Sequence, residues 1–250
     1  MQNEPMEFLR LLVDFAEEIL NSGAEINRVE DTVCRMGTAF GAKRVNVFVI
    51  TSVIVITLDM PNGETFTESR RIVSNGTVNF SRLEELNKLS RKYCAEKFSV
   101  EELRRRFNSC LVSFKMAAYY IGSVIAAFSF AIFFGGTLFD GLVSGIFALF
   151  ICLFSLNSYK FCPTSAAAKF LCSLITGVFI CAVCRFVPVL HADKIMIGDI
   201  MLLIPGIALV NSTSNIIVGD TVSGLTRFTE SVVQAAALAG GFMLAIFIVG

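Results

Sequence analysis

Five long apolar runs fill the carboxyl-terminal half of this chain, at about 117–135, 137–157, 167–187, 195–215 and 229–249. Each approaches the roughly 20 residues that carry a helix across the hydrocarbon core of a bilayer. Backbone amides at that depth must be satisfied internally, so five such runs predict five transmembrane helices. The charges agree: of 21 basic and 21 acidic residues, 16 of each lie at or before Lys115. The chain as a whole is only 17% charged, against roughly 25% in an ordinary globular protein. This break in composition divides it into residues 1–112 and 113–250. The first segment is charged and amphipathic, so no cleavable signal is expected.

Within 1–112 the periodicity is that of a globular domain. Phe8, Leu11, Leu12, Phe15, Ala16 and Ile19 recur at helical spacing, and Asn21-Ser22-Gly23 supplies a stop. Ile26, Val29, Val33, Met36 and Phe40 mark a second helix ending at Gly41; so short a turn predicts an antiparallel pair. Residues 45–58 are dense in β-branched side chains and too short to span, so they read as two strands broken near Thr51-Ser52. Pro61-Asn62-Gly63 is turn chemistry, and 64–73 supplies a third strand. Ser81-x-x-Glu84 and Ser99-x-x-Glu102 have the form of capping boxes opening two more helices. The expected fold class is an α+β amino-terminal cytoplasmic domain (ααβββαα), 1–112, followed by an all-α membrane domain of five transmembrane helices, 113–250.

Enzymatic chemistry finds little support. Residues 1–112 contain no histidine, so no Ser-His-Asp or Cys-His arrangement can be built there, and no Gly-rich phosphate loop is present. Cys181-x-x-Cys184 lies in an apolar run without a second pair, and structural zinc needs four ligands. No metal, cofactor or nucleic acid is expected. Arg28 with Glu30 and Asp31 is the most distinctive polar group of this half, although a solvated helix face is the simpler explanation.

In the membrane half, basic residues near helix ends set orientation. Arg104, Arg105, Arg106, Lys115, Lys160, Lys169 and Arg227 fall on one side, with only Arg185 and Lys194 opposite. That predicts a multi-pass protein of the inner (plasma) membrane, amino terminus in the cytoplasm and carboxyl terminus outside. Gly141-x-x-x-Gly145, Ala235, Ala239 and Gly240 would permit close helix packing. Asp140 and Asp199 sit near the outer ends of their helices, where an external surface location is expected.

The richest stretch is IPGIALVNSTSNIIVGDTVSGLTRFTE, 204–230. Pro205-Gly206 interrupts an apolar segment, because proline removes an amide and clashes with the preceding turn. Asn211, Asp220, Arg227 and Glu230 follow, the last two three residues apart. Interrupted apolar segments point to the substrate site of a transporter. A polar cytoplasmic loop of about fifteen residues fits the same pattern.

Ser22-Gly23-Ala24-Glu25-Ile26-Asn27-Arg28-Val29-Glu30, with Gly41 after the helix, resembles the opening motif of the threonine/serine exporter family. Pro205-Gly206, Asn211, Gly219-Asp220, Ser223-Gly224, Arg227 and Glu230 resemble its late membrane motif. The resemblance covers essentially the whole chain. It implies export of a small carboxylate-bearing metabolite, a threonine/serine-type amino acid or a dicarboxylate such as succinate. It also implies a split exporter, in which a second, shorter polytopic subunit supplies the remaining spans. Arg227 would pair with the substrate carboxylate, and Asp220 or Glu230 would carry a coupling proton. Gly23, Arg28, Glu30 and Gly41 form the family motif of the amino-terminal part. Expected partners are the lipid bilayer, a small-molecule substrate, that second subunit and, as an open option, further copies of this chain. The competing readings are a membrane-anchored enzyme and a channel or assembly subunit.

Overall fold

The structure is a computed structural model, and it describes residues 3–50, 52–72, 78–111, 116–157, 162 and 164–249. The first seven elements are α1 (Asn3–Asn21), α2 (Ile26–Phe40), β1 (Arg44–Ile50), β2 (Val53–Asp59), β3 (Thr65–Arg71), α3 (Phe80–Glu96) and α4 (Val100–Leu111). Six further helices follow: α5 (Met116–Phe133), α6 (Leu138–Asn157), α7 (Ser165–Phe186), α8 (Ala192–Leu203), α9 (Gly206–Val218) and α10 (Thr221–Val249). They form two compact units. One comprises Met1–Phe114 with Val210–Arg227, the other Lys115–Leu209 with Phe228–Gly250.

In the first unit, the three strands make an antiparallel meander, order β1-β2-β3, with Arg44 opposite Asp59 and Val53 opposite Arg71. Alternation along β2 sends Ile54, Ile56 and Leu58 into the core. The apolar stripe of α1 meets them there: Phe8, Leu11, Leu12, Phe15 and Ile19 are buried, as are Ile26, Val29, Val33 and Met36 of α2. Gly37 lets α2 lie close on the sheet, since a Cβ there would come within 2.8 Å of Val45. Phe8 stacks on Phe40 at 4.0 Å. Arg70 of β3 pairs with Asp14 and, at 3.2 Å, with Glu17, while Arg82 of α3 pairs with Glu18. Ser99 caps α4 as expected, accepting from the Glu102 amide at 3.3 Å. The cap of α3 is Asn79 rather than Ser81; its side chain accepts from the Arg82 amide at 3.0 Å.

In the second unit, helices approach through small residues. A Cβ on Gly141 of α6 would lie 2.9 Å from Phe128 of α5. One on Gly198 of α8 would lie 2.5 Å from Ser144 Oγ and 2.8 Å from the Ala127 carbonyl. Gly241 of α10 approaches Ser173 and the Phe170 carbonyl of α7 even more closely. Without a hydrophobic force between helices in lipid, such contacts carry the association.

The expected fold class requires correction. Among the described residues ten of thirteen elements are helices, and the β structure is confined to one small meander. Four helices, α5, α6, α7 and α10, are individually long and apolar enough to cross a membrane. A fifth crossing exists only if α8 and α9, bent by 49° at their junction, count as one span. The amino-terminal elements do not form a clearly separate soluble domain either, because their compact unit takes in Val210–Arg227 from the apolar half. The physical reason is polar: α9 carries side chains that lipid would not satisfy, and they find partners on the α1–α2 turn.

Candidate functional site

The turn between α1 and α2 is built on Gly23, whose φ of +103° favours glycine. A Cβ there would also come within 2.6 Å of Val78. The turn exposes two acceptors. Glu25 occupies the N-cap position of α2 without making a side-chain cap bond, and the Gly23 carbonyl lies just before it. Both are met by α9: Asn211 Nδ2 donates to the Gly23 carbonyl at 3.2 Å, and Ser214 Oγ to Glu25 Oε1 at 3.4 Å.

The sequence of α9 and its exit explains this placement. Pro205 offers no amide, the α8 ladder ends at Ile204, and α9 restarts at Gly206. At its far end the Gly219 amide donates to the Ile216 carbonyl and the Asp220 amide to that of Asn215, with Gly219 at φ +101°. This is a Schellman termination, for which glycine is the usual residue. The chain then reverses into α10. Gly224 permits the reversal, since a Cβ there would meet the Ser212 carbonyl and the Ile216 amide, both at 2.9 Å.

Asp220, Ser223, Gly224 and Arg227 follow one another at positions i, i+3, i+4 and i+7, hence along one face at the start of α10. Ser223 is buried and Arg227 half-buried. Ser22, Asn215 and Ser223 are nearly inaccessible, and Ser22 Oγ, Asn215 Nδ2, Ser223 Oγ and Asp220 Oδ2 all lack a partner among the described residues. A buried polar atom left unpaired costs about 1–3 kcal/mol. Four such atoms lie in the two segments that meet here. Glu30, on α2, accepts from the Val49 amide at 3.1 Å. Its carboxyl is pushed above the ordinary glutamate range chiefly by burial; the Val49 bond works the other way, and the negative charge of Asp220 adds to the rise.

The structure thus brings together Gly23, Glu30, Asn211 and Asp220 of the residues singled out in the sequence, with Arg227 in the same unit. Arg28 is exposed on α2, and Gly41 closes that helix in the left-handed conformation with open space around it. Pro205, Gly206 and Glu230 belong to the other compact unit, Glu230 exposed on α10. Sequence reasoning missed Ser22, Glu25, Ser214, Asn215 and Ser223 as members. Ser22, Glu25 and Ser223 lie in the two quoted motifs, and Ser214 and Asn215 within the stretch 204–230, but nothing in their spacing states that the motifs touch.

Two further acids depart from expectation. Asp140 and Asp199 are both wholly inaccessible rather than on an external surface. Asp140 accepts from the Thr137 amide and hydroxyl at 2.7 and 2.8 Å, and from the His191 amide at 2.8 Å, with His191 Nδ1 at 3.0 Å. It joins the start of α6 to the start of α8. Asp199 accepts from Ser144 Oγ at 2.9 Å, and its Oδ2 has no partner among the described residues. Cys181 is packed in the apolar cluster of Ile180, Leu238 and Phe242.

Long apolar helices, a bent helix pair and polar groups held within the fold together define a multi-pass membrane protein. Residues 10–249 match the family described as "Putative threonine/serine exporter", and the chain belongs to that family. No curated protein and no solved structure matches it.

Proposed function

We propose that this chain works as a subunit of an ion-coupled exporter for a serine- or threonine-like amino acid. The observation that carries the reading is the group of unsatisfied buried atoms on Ser22, Asn215, Asp220 and Ser223, where the two family motifs meet. A zwitterionic substrate suits this surrounding. Arg227 offers a bidentate fork for the carboxylate, and Asp220 with Glu30 offers negative charge for the ammonium. Ser22, Asn215 and Ser223 would bond the substrate's remaining polar atoms, a side-chain hydroxyl included. Three acids, Glu25, Glu30 and Asp220, argue against a dicarboxylate such as succinate, which brings only like charge.

In this reading the amino terminus faces the cytoplasm and the carboxyl terminus the outside of the inner membrane. A second polytopic subunit completes the transporter. Export of labelled threonine from cells tests the site. Asp220→Asn and Arg227→Ala, expressed at normal levels, should each lower export at least tenfold, about 1.4 kcal/mol or more of lost binding. Unlabelled serine should compete and succinate should not. Wild-type export by either variant would remove the site from consideration. Affinity purification from native membranes would reveal the partner; a chain that purifies alone and exports in liposomes would dispose of it.

A further inference from the structure

We propose that Asp199 is the residue that carries the coupling proton, through its Oδ2 atom, in the helical unit formed by α5 to α8 and the later part of α10. The proposal rests on the exporter reading and gives Asp199 the role that sequence reasoning assigned to Asp220 or Glu230.

Asp199 has no accessible surface. It lies on α8 between Met196 and Leu203, which pack with Cys172, Leu238 and Phe242 in one apolar cluster. Its Oδ1 accepts from Ser144 Oγ of α6 at 2.9 Å, and Oδ2 is buried without a partner among the described residues. Thr176 Oγ1 of α7, one turn from Cys172, is likewise buried. Among the described residues no ion pair reaches Asp199. The adjacent Gly198 packs against Ala127 and Ala131 of α5; Ser144 comes from α6, with Cys152 two turns on, and Cys172 of α7 is close enough to feel the Asp199 charge. Of the other charged groups of these elements, Arg185 of α7 donates to the Val249 carbonyl at 3.5 Å. Asp140 bonds Thr137 and His191, Lys194 pairs with Asp193 at 3.1 Å, and Lys169 lies one turn before Cys172 on the same face of α7, with no ion pair to Asp199 among the described residues.

An unpaired buried carboxylate is costly, and so is an intramembrane acid without a function. A carboxyl that takes up one proton at Oδ2 becomes neutral while keeping its bond from Ser144. Releasing that proton restores the anion. Only the O–H bond forms and breaks, and one proton enters from outside and leaves to the cytoplasm for each substrate exported.

The test uses the full chain in proteoliposomes, with its partner if one copurifies. Two transport modes are compared: threonine counterflow, which needs no net proton movement, and threonine flux driven by an imposed pH gradient. Asp199→Asn keeps both the acceptor for Ser144 and the side-chain shape. It should retain counterflow and lose the response to the gradient, whereas Asp199→Glu should keep both. A gradient response persisting in Asp199→Asn would overturn the proposal. So would loss of both modes in a variant that stays monodisperse, or drive by a sodium gradient instead. Infrared spectra of the purified protein in lipid give a readout independent of substrate: a protonated carboxyl band in the wild type should vanish in Asp199→Asn. If the wild type shows no threonine counterflow, the exporter reading fails, and the infrared band alone decides the proton site. An unchanged band would overturn it.

Discussion

The two compact units solve the same packing problem with opposite residues. In the amino-terminal elements the large side chains turn inward: Phe8, Phe15, Leu12 and Ile56 are fully buried, and paired charges such as Arg70 with Asp14 lie outside. In the helical unit many of the large side chains turn outward, with Phe133 at 78% and Phe247 at 87% exposed. Its interior mixes small residues, Ala127, Ala131, Ser144, Ala148, Gly177 and Gly198, with one buried apolar cluster that includes Ile180, Leu203 and Phe242. Burial from water drives the first arrangement. Lipid provides no such drive between helices, so the second relies on close backbone approach and on interhelical hydrogen bonds. The same chain therefore keeps its large side chains mostly inside one unit and sets many of them on the outer face of the other.

A matched pair of truncations would break this comparison most sharply. Phe15→Ala empties a fully enclosed site and should cost about 3–5 kcal/mol in denaturant unfolding of the protein in detergent or lipid. Phe247→Ala, facing outward, should change stability by no more than about 0.5 kcal/mol. Similar losses in the two variants would mean that the outward face of α10 is covered by protein rather than lipid.

The α1–α2 turn is the next point to probe. Gly23→Ala forces a side chain into a left-handed conformation and against Val78, a strain of about 1–3 kcal/mol. Because the Gly23 carbonyl also receives Asn211, export should fall beyond what the lost stability explains. Comparing thermal midpoints with export by Gly23→Ala and Asn211→Ala separates the two effects. An Asn211→Ala variant with full export would show that this hydrogen bond serves packing alone.

Much of this organisation was legible in the chain. Helical spacing located α1 and α2, β-branched residues located β1 and β2, and Pro205 announced the α8–α9 break from the missing amide alone. What periodicity does not contain is long-range pairing and facing. Asn211 and Gly23 are 188 positions apart, and no local rule states that they meet. Asp140 and Asp199 were assigned to a surface because they lie near segment ends, yet end position does not say which face a side chain takes. Gly198 and Ser144, which enclose Asp199, look like ordinary small residues until the helices are packed. The early start of α10 at Thr221 was also hidden, since a polar face that meets α9 reads locally as a loop.

The smallest effect expected is also the one that links the two roles of the amino-terminal unit. Glu30 is held above the ordinary carboxyl value of 4.5 mainly by burial, with Asp220 adding to it against the favourable Val49 bond. Over a window that opens near that value and closes at the raised folded-state value, the folded protein binds more protons than the unfolded one. Stability therefore declines as pH rises through the window. Glu30→Gln keeps an acceptor for the Val49 amide and removes the charge, so thermal midpoints measured across the same pH range should decline less steeply. Asp220→Asn should flatten the curve in the same direction but less, because Asp220 is the weaker cause. If Glu30 also faces the substrate ammonium, export should fall in Glu30→Gln even as the protein becomes no less stable near neutral pH. A variant with an unchanged pH slope would mean that Glu30 is hydrated in the working protein, and that the contrast between a dry interior and a charged surface ends before it reaches α2.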